Sequence, residues 1–220
     1  VLAKNDFLLD LSTCQVVDYH GFIGRTDVPS KDDNKENVLI RLSPYVYGLS
    51  DEVFGSDELM ALFTANDMRR QLFFGDSIYS TVFEKPLWRP WFEQNLGVTT
   101  PEMYLIAAEC EARVGSVGRA MNLLNKLRDN RIVGNTPLVA ANKDEALKLV
   151  LDERRREFAL TGLTRFIDLK RLNLDSRFAK TITHVVDGKV LTLPPNDPRW
   201  ALPIPARPLR FNKDMVPNPR

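Results

Sequence analysis

A helical repeat of small and apolar residues that begins at Pro101 constrains the fold of this chain more than any other feature. Thr100 followed by Pro101 is typical of a helix start, because the first turn of a helix has no use for the N–H that proline lacks. One face of the repeat then carries Tyr104, Ala107, Ala108 and Ala112. Gly115 ends the pattern, so we predict a helix from Thr100 to about Gly115.

A second helix follows almost at once, with an apolar stripe formed by Ala120, Leu123, Leu124 and Leu127. Little more than Ser116 and Val117 connects the two helices, which must therefore lie antiparallel. The small side chains that let their backbones approach closely are Ala107, Ala108 and Ala120. The pair resembles one tetratricopeptide-type unit, although the chain shows no second copy at a fixed period.

A third helix is predicted from about Asp144 to Leu160. Its apolar stripe starts with Ala146, Leu149 and Val150. The same face then continues onto Glu153 and Glu157 instead of hydrophobic residues. Charged side chains on a core-facing stripe are costly unless they are paired, so we predict a partly buried ion network. The nearby arginines that could pair are Arg154, Arg155, Arg156, Arg165 and Arg171, and we expect Arg165 and Arg171 to be the main partners. A solvated charged face is the alternative, and periodicity alone does not decide between the two.

A β-hairpin is the clearest strand signal in the chain. Two β-rich, alternating segments, Ile182–Val186 and Lys189–Leu193, are joined by Asp187 and Gly188, a dipeptide typical of two-residue hairpin turns. From Pro194 onward the chain is rich in proline. We therefore expect a tail that is extended and contains no helix.

Residues 1–99 carry few periodic signals and read mainly as loops. The polar run Ser30–Asn37, which includes Glu36, has neither the glycine nor the spacing of a calcium loop, so we predict a solvated loop. A helix is expected over Ser56–Phe63, with Ser56 as its N-cap. The segment Asn66–Arg70 is then predicted to be a polar, solvent-exposed segment that follows this helix, which we call its polar exit.

Composition excludes several classes of protein. Lys and Arg number 30 against 29 Asp and Glu, and this balance argues against a partner such as nucleic acid or an anionic membrane. The longest apolar run, Met103–Ala108, is far shorter than the roughly 20 residues that cross a bilayer. The only cysteines, Cys14 and Cys110, are too few for a disulfide framework or a cysteine zinc site. Whether they meet is left open by the sequence.

The residues that could take part in catalysis do not occur in the sequence at the spacings that known catalytic and metal-binding motifs require. Neither His20 nor His184 has a metal-ligating partner at helical spacing, and the chain has no phosphate loop or serine elbow. Glu153 and Glu157 could form an acid–base pair for glycoside hydrolysis, but nearby arginines would keep both ionised, whereas an acid needs a raised pKa. We expect a protein that is not an enzyme and that uses no cofactor and no metal.

Aromatic residues are the better candidates for binding. Trp88 and Trp91 lie close to Pro86 and Pro90 in a segment without helical periodicity, and Tyr79 lies just upstream. Tryptophans on such a loop either pin it to the core, which is the commoner case, or present flat apolar faces to a ligand. We take Trp88, Trp91 and Tyr79 as candidate ligand-binding residues.

Three blocks of sequence, in order, resemble the C-terminal region of the SusD/RagB family. They are Thr100–Cys110 with Ala112, Arg113 and Gly115; Glu153–Phe158 with Gly162, Arg165, Phe166 and Asp168–Arg171; and Leu193–Trp200 with Leu202–Pro205 and Asn218–Arg220. Ser56–Leu59 and Asp67–Arg70 also resemble the family. Pro217 is a departure, because the family usually has Gln before the Asn-Pro pair.

The resemblance implies a mostly α-helical SusD-like fold with a tetratricopeptide-like helix pair, long irregular loops and one small β-hairpin. Residues 1–220 would be the C-terminal region, made of a loop-rich part (1–99), a helical core (100–172) and a hairpin with a proline-rich tail (173–220). The family's N-terminal half, which holds the signal peptide, the lipidated cysteine and most tetratricopeptide helices, would be absent.

The same resemblance implies a function without bond chemistry. Such proteins bind glycans or other nutrients at the cell surface of the outer membrane and deliver them to a SusC-like TonB-dependent transporter. Contact with the membrane would be limited to a lipid anchor in the absent part. The alternative is a tetratricopeptide-like module that binds a protein and no sugar. The family's signature motifs do not fix the sugar-binding residues.

Overall fold

A computed structural model describes residues 2–19, 22–41, 53–75, 87–88 and 95–218 of the chain. The chain divides into two units, Val1–Gly162 and Leu163–Arg220. The elements of the first unit are β1 (Gln15–Tyr19), β2 (Phe22–Thr26), α1 (Asp57–Met60), α2 (Met68–Phe73), β3 (Phe74–Gly75), β4 (Leu87–Trp88), α3 (Thr100–Val114), α4 (Val117–Asp129) and α5 (Lys143–Glu157). Those of the second are α6 (Thr164–Leu172), β5 (Ile182–Val186), β6 (Lys189–Leu193) and α7 (Ala206–Phe211).

Helices α3, α4 and α5 form the helical core of the first unit, and α3 packs against both of the others. The predicted helical hairpin is confirmed, since only Gly115 and Ser116 separate α3 from α4. Alanines at the helix contacts are completely buried: Ala108, Ala112, Ala120 and Ala146. Their small side chains allow the close approach that the sequence predicted. Ala107, which was assigned to the same face, is only half-buried.

The ends of the core helices follow from local hydrogen bonds. Ser116 caps α4 by accepting a hydrogen bond from the Arg119 N–H, and Asn142 caps α5 by accepting one from the Glu145 N–H at 2.9 Å. Helix α5 ends at Glu157, three residues before the predicted end, with Phe158 as its C-cap. Leu160 has a left-handed backbone conformation with φ of 55° and so cannot belong to the helix.

Two small apolar clusters lie among the described residues of the loop-rich part of the first unit. One joins Phe63 and Phe74, whose rings meet edge to face with centroids 5.6 Å apart. The other joins Leu11, Cys14 and Leu72. Ser56 caps α1 as predicted, although the helix ends at Met60 and not at Phe63.

In the part of the chain that the structure describes, the strands form antiparallel pairs. The predicted hairpin is confirmed with its predicted bounds, β5 paired with β6. Asp187 and Gly188, at its turn, both have positive φ, 49° and 74°, as a two-residue hairpin turn requires. The structure adds two further pairs, β1 with β2 and β3 with β4, in a part of the sequence where periodic signals are weak.

The proline-rich tail contains helical turns, so the prediction of a tail without helix is wrong. A 3-10 turn spans Pro198–Trp200 and α7 spans Ala206–Phe211. Their prolines, Pro198 and Pro208, lie in the first turn, where a helix needs no N–H donor from the backbone. Trp200 is buried beside Phe166, and its indole N–H donates to the Pro194 carbonyl at 2.6 Å.

Candidate functional site

The predicted aromatic ligand site falls mostly outside the described residues. Tyr79 and Trp91 lie outside them, and Trp88 is described by its backbone alone. That backbone belongs to β4 and pairs with Phe74 of β3. The binding role of these three aromatic residues therefore stays a prediction.

The predicted ion network is present, and it forms the most densely charged buried region among the described residues. We call it the charge cluster. Its members are the carboxylates Glu36, Asp67, Glu153 and Glu157 and the arginines Arg69, Arg128, Arg131 and Arg156. None of these side chains is more than 10% exposed. The inward orientation predicted for Glu153 and Glu157 is confirmed, and the solvated alternative is wrong.

Arg69 is the centre of the charge cluster. Its guanidinium is completely buried and forms a two-pronged contact with Asp67, with Nη2 2.7 Å from Oδ2 and Nε 2.9 Å from Oδ1. It also lies 2.7 Å from Glu153 Oε1 and 2.8 Å from Glu157 Oε2. Asp67 additionally caps α2 by accepting a hydrogen bond from the Arg69 N–H. One arginine thus binds the end of α5 to the start of α2.

Glu153 is surrounded by positive charge. Besides Arg69, its carboxylate accepts hydrogen bonds from Arg156, one turn away, and from Arg128 of α4, whose Nη1 is 2.8 Å away. Burial by itself would raise the pKa of Glu153, but attraction to Arg69, Arg156 and Arg128 outweighs it and holds that pKa well below its usual range. Glu153 is therefore ionised in the folded chain at neutral pH, and its role is structural.

Glu157 connects the charge cluster to the N-terminal loops through Arg131. The Arg131 guanidinium bonds to Glu157 Oε1 at 2.9 Å, to Glu36 Oε1 at 2.8 Å and to the Leu9 carbonyl at 2.7 Å. Burial would raise the pKa of Glu157, but Arg131 and Arg69 hold it below the usual range. Burial raises the pKa of Glu36, and the attraction of Arg131 only partly offsets it. Glu36 also accepts a hydrogen bond from the Leu9 N–H.

Arg156, one of the predicted partners, binds Glu153, but the two arginines expected to be the main partners do not supply the contacts described above. Arg165 is not among the partners that these contacts give to Glu153 and Glu157, and Arg171 binds Asp168 on its own helix, with Nε 2.9 Å from Oδ1. A partner three residues away is reached with little loss of conformational entropy, so Arg171 is satisfied locally. The partners of the two glutamates come from α2, from α4 and the residues after it, and from α5 itself.

Three members of the charge cluster were assigned to solvent by the sequence analysis. Glu36 was placed in a solvated loop, and Asp67 and Arg69 in a polar exit from a helix. In the structure all three are buried. The only signal that singled out Asp67 and Arg69 was the resemblance of Asp67–Arg70 to the family.

The chemistry of the charge cluster is structural. Within it, four carboxylates face four arginines, so the formal charges balance. The groups that could act as acid and base, Glu153 and Glu157, are held ionised by their partners, which is the opposite of what proton donation to a leaving group needs. The described residues contain no group of three or more His, Cys, Asp or Glu side chains placed to hold a metal ion.

The cysteines do not meet. Cys14 is buried and Cys110 is exposed, and both are free thiols. Burial raises the pKa of Cys14, whose thiol points to the Asp27 carbonyl.

Among the described residues, no helix combines the length and the apolar character required to cross a bilayer.

The chain matches one known protein family over more than half of its length. A model described as the SusD family matches residues 100–220, more than half of the sequence. This chain belongs to the SusD family. Comparison with curated proteins gave no match.

The first of two similar solved structures supports the same fold. A SusD-like carbohydrate binding protein from Bacteroides vulgatus ATCC 8482 is 19% identical with a TM-score of 0.62, and the match covers 97% of this chain and 53% of that one. A SusD-like protein from Bacteroides fragilis NCTC 9343 is 21% identical with a TM-score of 0.41, over 61% of this chain and 30% of that one. The chain therefore spans about half, or less, of the structures it matches.

Proposed function

We propose that this chain is the C-terminal portion of a surface protein that binds glycans or other nutrients reversibly and without bond chemistry. Its membership of the SusD family carries the proposal. The name of the B. vulgatus structure, a SusD-like carbohydrate binding protein, supports a carbohydrate ligand. The ionised state of Glu153 and Glu157 supports a binding role over a hydrolytic one.

The ligand would be held mainly by aromatic rings. A pyranose has a face of C–H bonds that packs on an aromatic ring, and Trp88, Trp91 and Tyr79 are the candidates for such a platform. The backbone of Trp88 pairs with that of Phe74, which is itself buried in the core. A ring attached to an anchored strand would lose little conformational entropy when a sugar binds.

Affinity electrophoresis through gels that contain starch, xylan or mucin glycans tests this proposal. Retardation by at least one polysaccharide is expected for the unmodified chain, and it should be lost in Trp88→Ala or Trp91→Ala. Trp88→Phe and Trp91→Phe are the matched controls, because a smaller ring keeps part of the stacking surface. A melting curve for each variant separates the two roles: retained retardation with a lowered melting temperature would assign the ring to the core instead.

Absence of hydrolysis is part of the same proposal. Each retarding polysaccharide is incubated with the chain, and the products are separated by chromatography. We expect no release of shorter oligosaccharides. Turnover that persists through repurification and disappears with a single carboxylate substitution, such as Glu157→Gln, would contradict the non-enzymatic role.

We further propose that the full protein lies at the cell surface of the outer membrane, attached by a lipid anchor outside these residues, and delivers its ligand to a SusC-like TonB-dependent transporter. Family membership supports this assignment. Co-purification from membranes with a large outer-membrane transporter is the expected result. Recovery of the protein without any such transporter would contradict it.

A protein-binding module remains the second candidate, because α3 and α4 form the helical hairpin of a tetratricopeptide-type unit. The gel assay distinguishes the two functions. A chain that binds a protein partner but is not retarded by any polysaccharide, with Trp88 and Trp91 intact, would support the second candidate.

A further inference from the structure

The β5–β6 hairpin exposes apolar side chains on both of its faces. Val185 and Val190, which lie opposite each other on one face, are 61% and 64% exposed. Leu191, on the other face, is 55% exposed. Among the described residues the two strands pair only with each other, and an isolated two-stranded hairpin is marginally stable in water. The hairpin would therefore gain stability from a further strand.

The outer edge of β5 carries unpaired backbone groups. Val186 and Lys189 flank the two-residue turn as a hydrogen-bonded pair, and bonded and non-bonded pairs alternate along the hairpin from there. The N–H and C=O groups of Thr183 and Val185 consequently point away from β6. Within the described part of the chain, no hydrogen bond is made to these four groups. Such an edge is a template for another strand.

The outer edge of β6 is blocked. The outward carbonyl of Thr192 accepts a hydrogen bond from Arg199 Nη2 at 2.9 Å. Lys189 lies in β6 and Pro194 follows it directly, and proteins use lysine and proline to prevent pairing at sheet edges. Strand β5, with the sequence Ile-Thr-His-Val-Val, contains neither. Of the two edges, that of β5 is the one available to a further strand.

We propose that β5 pairs with β5 of a second copy of this chain, antiparallel and centred on His184, to form a four-stranded sheet. Centring on His184 uses all five residues of the strand. In this register Thr183 of each copy faces Val185 of the other, so all four outward groups of each strand are hydrogen-bonded. The inference depends on the geometry of the hairpin and does not depend on the proposed glycan ligand.

The edge is complementary to itself in this register. Val186 of one copy lies beside Ile182 of the other, and apolar cross-strand pairs of this kind stabilise sheets. Strand β5 contains no Asp, Glu, Lys or Arg that would repel its identical partner. At the ends of the pair, Asp187 of one copy comes near Lys180 of the other, and these side chains have opposite charge.

The size of the edge predicts a weak dimer. Specific interfaces bury roughly 800 Å² per partner, which is more than one pair of five-residue strands provides. We therefore expect association at about 10 µM to about 1 mM protein. The blocked edges of β6 form both outer edges of the four-stranded sheet, so assembly should stop at two copies. Sedimentation velocity over this range should show a monomer and a dimer without larger species.

A pair of proline substitutions tests which edge is used. Thr183→Pro removes an outward N–H of β5, and Thr192→Pro removes the outward N–H of the residue directly opposite on β6. Neither N–H belongs to the ladder between the strands, so both variants should keep the hairpin, which circular dichroism and melting temperatures check. Thr183→Pro should raise the dissociation constant of the dimer at least about tenfold, whereas Thr192→Pro should leave it unchanged.

A lysine at the centre of β5 tests the register. His184→Lys places two positive charges about 5 Å apart at the two-fold axis, so it should weaken the dimer at low salt, and added salt should restore part of the association. Leu191→Lys is the matched control, because Leu191 is also exposed and lies opposite His184 on β6. Three strand spacings, about 14 Å, would separate its two copies, so its effect should be smaller.

Three outcomes would overturn the proposal. The first is a chain that stays monomeric up to the highest concentration. The second is a dimer that both proline variants weaken equally. The third is a monomer in which the amides of Thr183 and Val185 are protected from hydrogen exchange, since that result would assign the edge of β5 to another segment of the same chain.

Discussion

Ion pairs in the two units of this protein differ in how far apart their partners lie along the sequence and in how deeply they are buried. In the first unit, pairs within the charge cluster join distant parts of the chain: Arg69 and Glu157 are 88 residues apart and Arg131 and Glu36 are 95 apart. In the second unit, Arg177 pairs with Asp175 and Arg199 with Asp197, two residues away in each case. The side chains of Arg177 and Arg199 are nearly half exposed.

The difference shows what each kind of pair can stabilise. A contact over two or three residues fixes one turn, and solvent screens most of its attraction. A buried contact over about 90 residues holds together segments that nothing local would bring near each other, and its loss leaves an uncompensated charge away from water. The first unit therefore depends on the arginines of the charge cluster for tertiary structure, whereas Arg177 and Arg199 of the second unit fix local geometry.

The strongest test of this comparison is Arg69→Met. Methionine fills most of the volume but leaves Asp67, Glu153 and Glu157 without their shared cation, so we expect a loss of about 3–5 kcal/mol in the free energy of unfolding. Urea unfolding followed by circular dichroism measures it. Arg119→Met is the control within the same unit, because Arg119 forms an exposed pair with Glu111. Equal losses in the two variants would show that burial is not what matters.

On acidification, the titration of Glu36 should change the stability of the fold in the opposite direction to the titration of Glu153 and Glu157. The pKa of Glu153 and of Glu157 is lowered by folding, so the unfolded chain binds protons first and stability falls as the pH drops below the unfolded pKa of about 4.3. The pKa of Glu36 is raised by folding, so the folded chain binds its proton first and Glu36 opposes that loss.

Glu36→Gln should therefore lose stability more steeply than the unmodified chain as the pH is lowered from 7 to 3. The extra loss arises because Glu36→Gln removes a carboxylate whose pKa is raised by burial, and whose proton uptake on acidification therefore favours the folded chain. Melting temperatures at a series of pH values supply the test. Parallel curves for the two proteins would mean that Glu36 titrates as it does in the unfolded chain.

In the second unit, the hairpin turn should matter more than the ion pairs. Gly188→Ala forces a side chain onto a backbone with φ of 74°, at a cost of about 1 kcal/mol, although the space around it is open. Hydrogen exchange of the amides in β5 and β6 should accelerate while α3, α4 and α5 are unaffected. Gly118→Ala in α4 is the control with opposite sign, because alanine favours a helix and fits there.

The smallest effect is expected for Arg177→Met. Its pair with Asp175 is local and partly exposed, so the free energy of unfolding should fall by at most about 1 kcal/mol. Raising the salt concentration should reduce the difference further. A loss as large as that for Arg69→Met would remove the distinction between the two units.

Much of the fold could be predicted because its signals are local. Pro101 and Gly115 mark a helix, and Asp187 with Gly188 marks a hairpin, through interactions with immediate neighbours. The tail was mispredicted because the number of prolines was considered without their positions. Pro208 lies where a helix tolerates it.

The sequence predicted the burial of the glutamates of the charge cluster but not most of their partners. The interrupted apolar stripe indicated that Glu153 faces inward, because helical periodicity is a local property, and Glu153 is buried. Nothing local reveals that its partners include Arg69 and Arg128, since those contacts exist only after the chain has folded. The aromatic site has even less local support, as a tryptophan on a loop serves packing and binding equally well.

The balance of charge within the charge cluster should also affect the rates of folding and unfolding. Its eight side chains come from the loop before Asn37, from α2, from α4 and the turn after it, and from α5. A first unit that lacked α5 would leave Arg128 without Glu153, and one that lacked Arg128 and Arg131 would leave Glu36 without its arginine, so such partly assembled or partly opened forms are costly. Folding should consequently be slow to complete, and opening rare, which gives the folded unit a long lifetime against proteases.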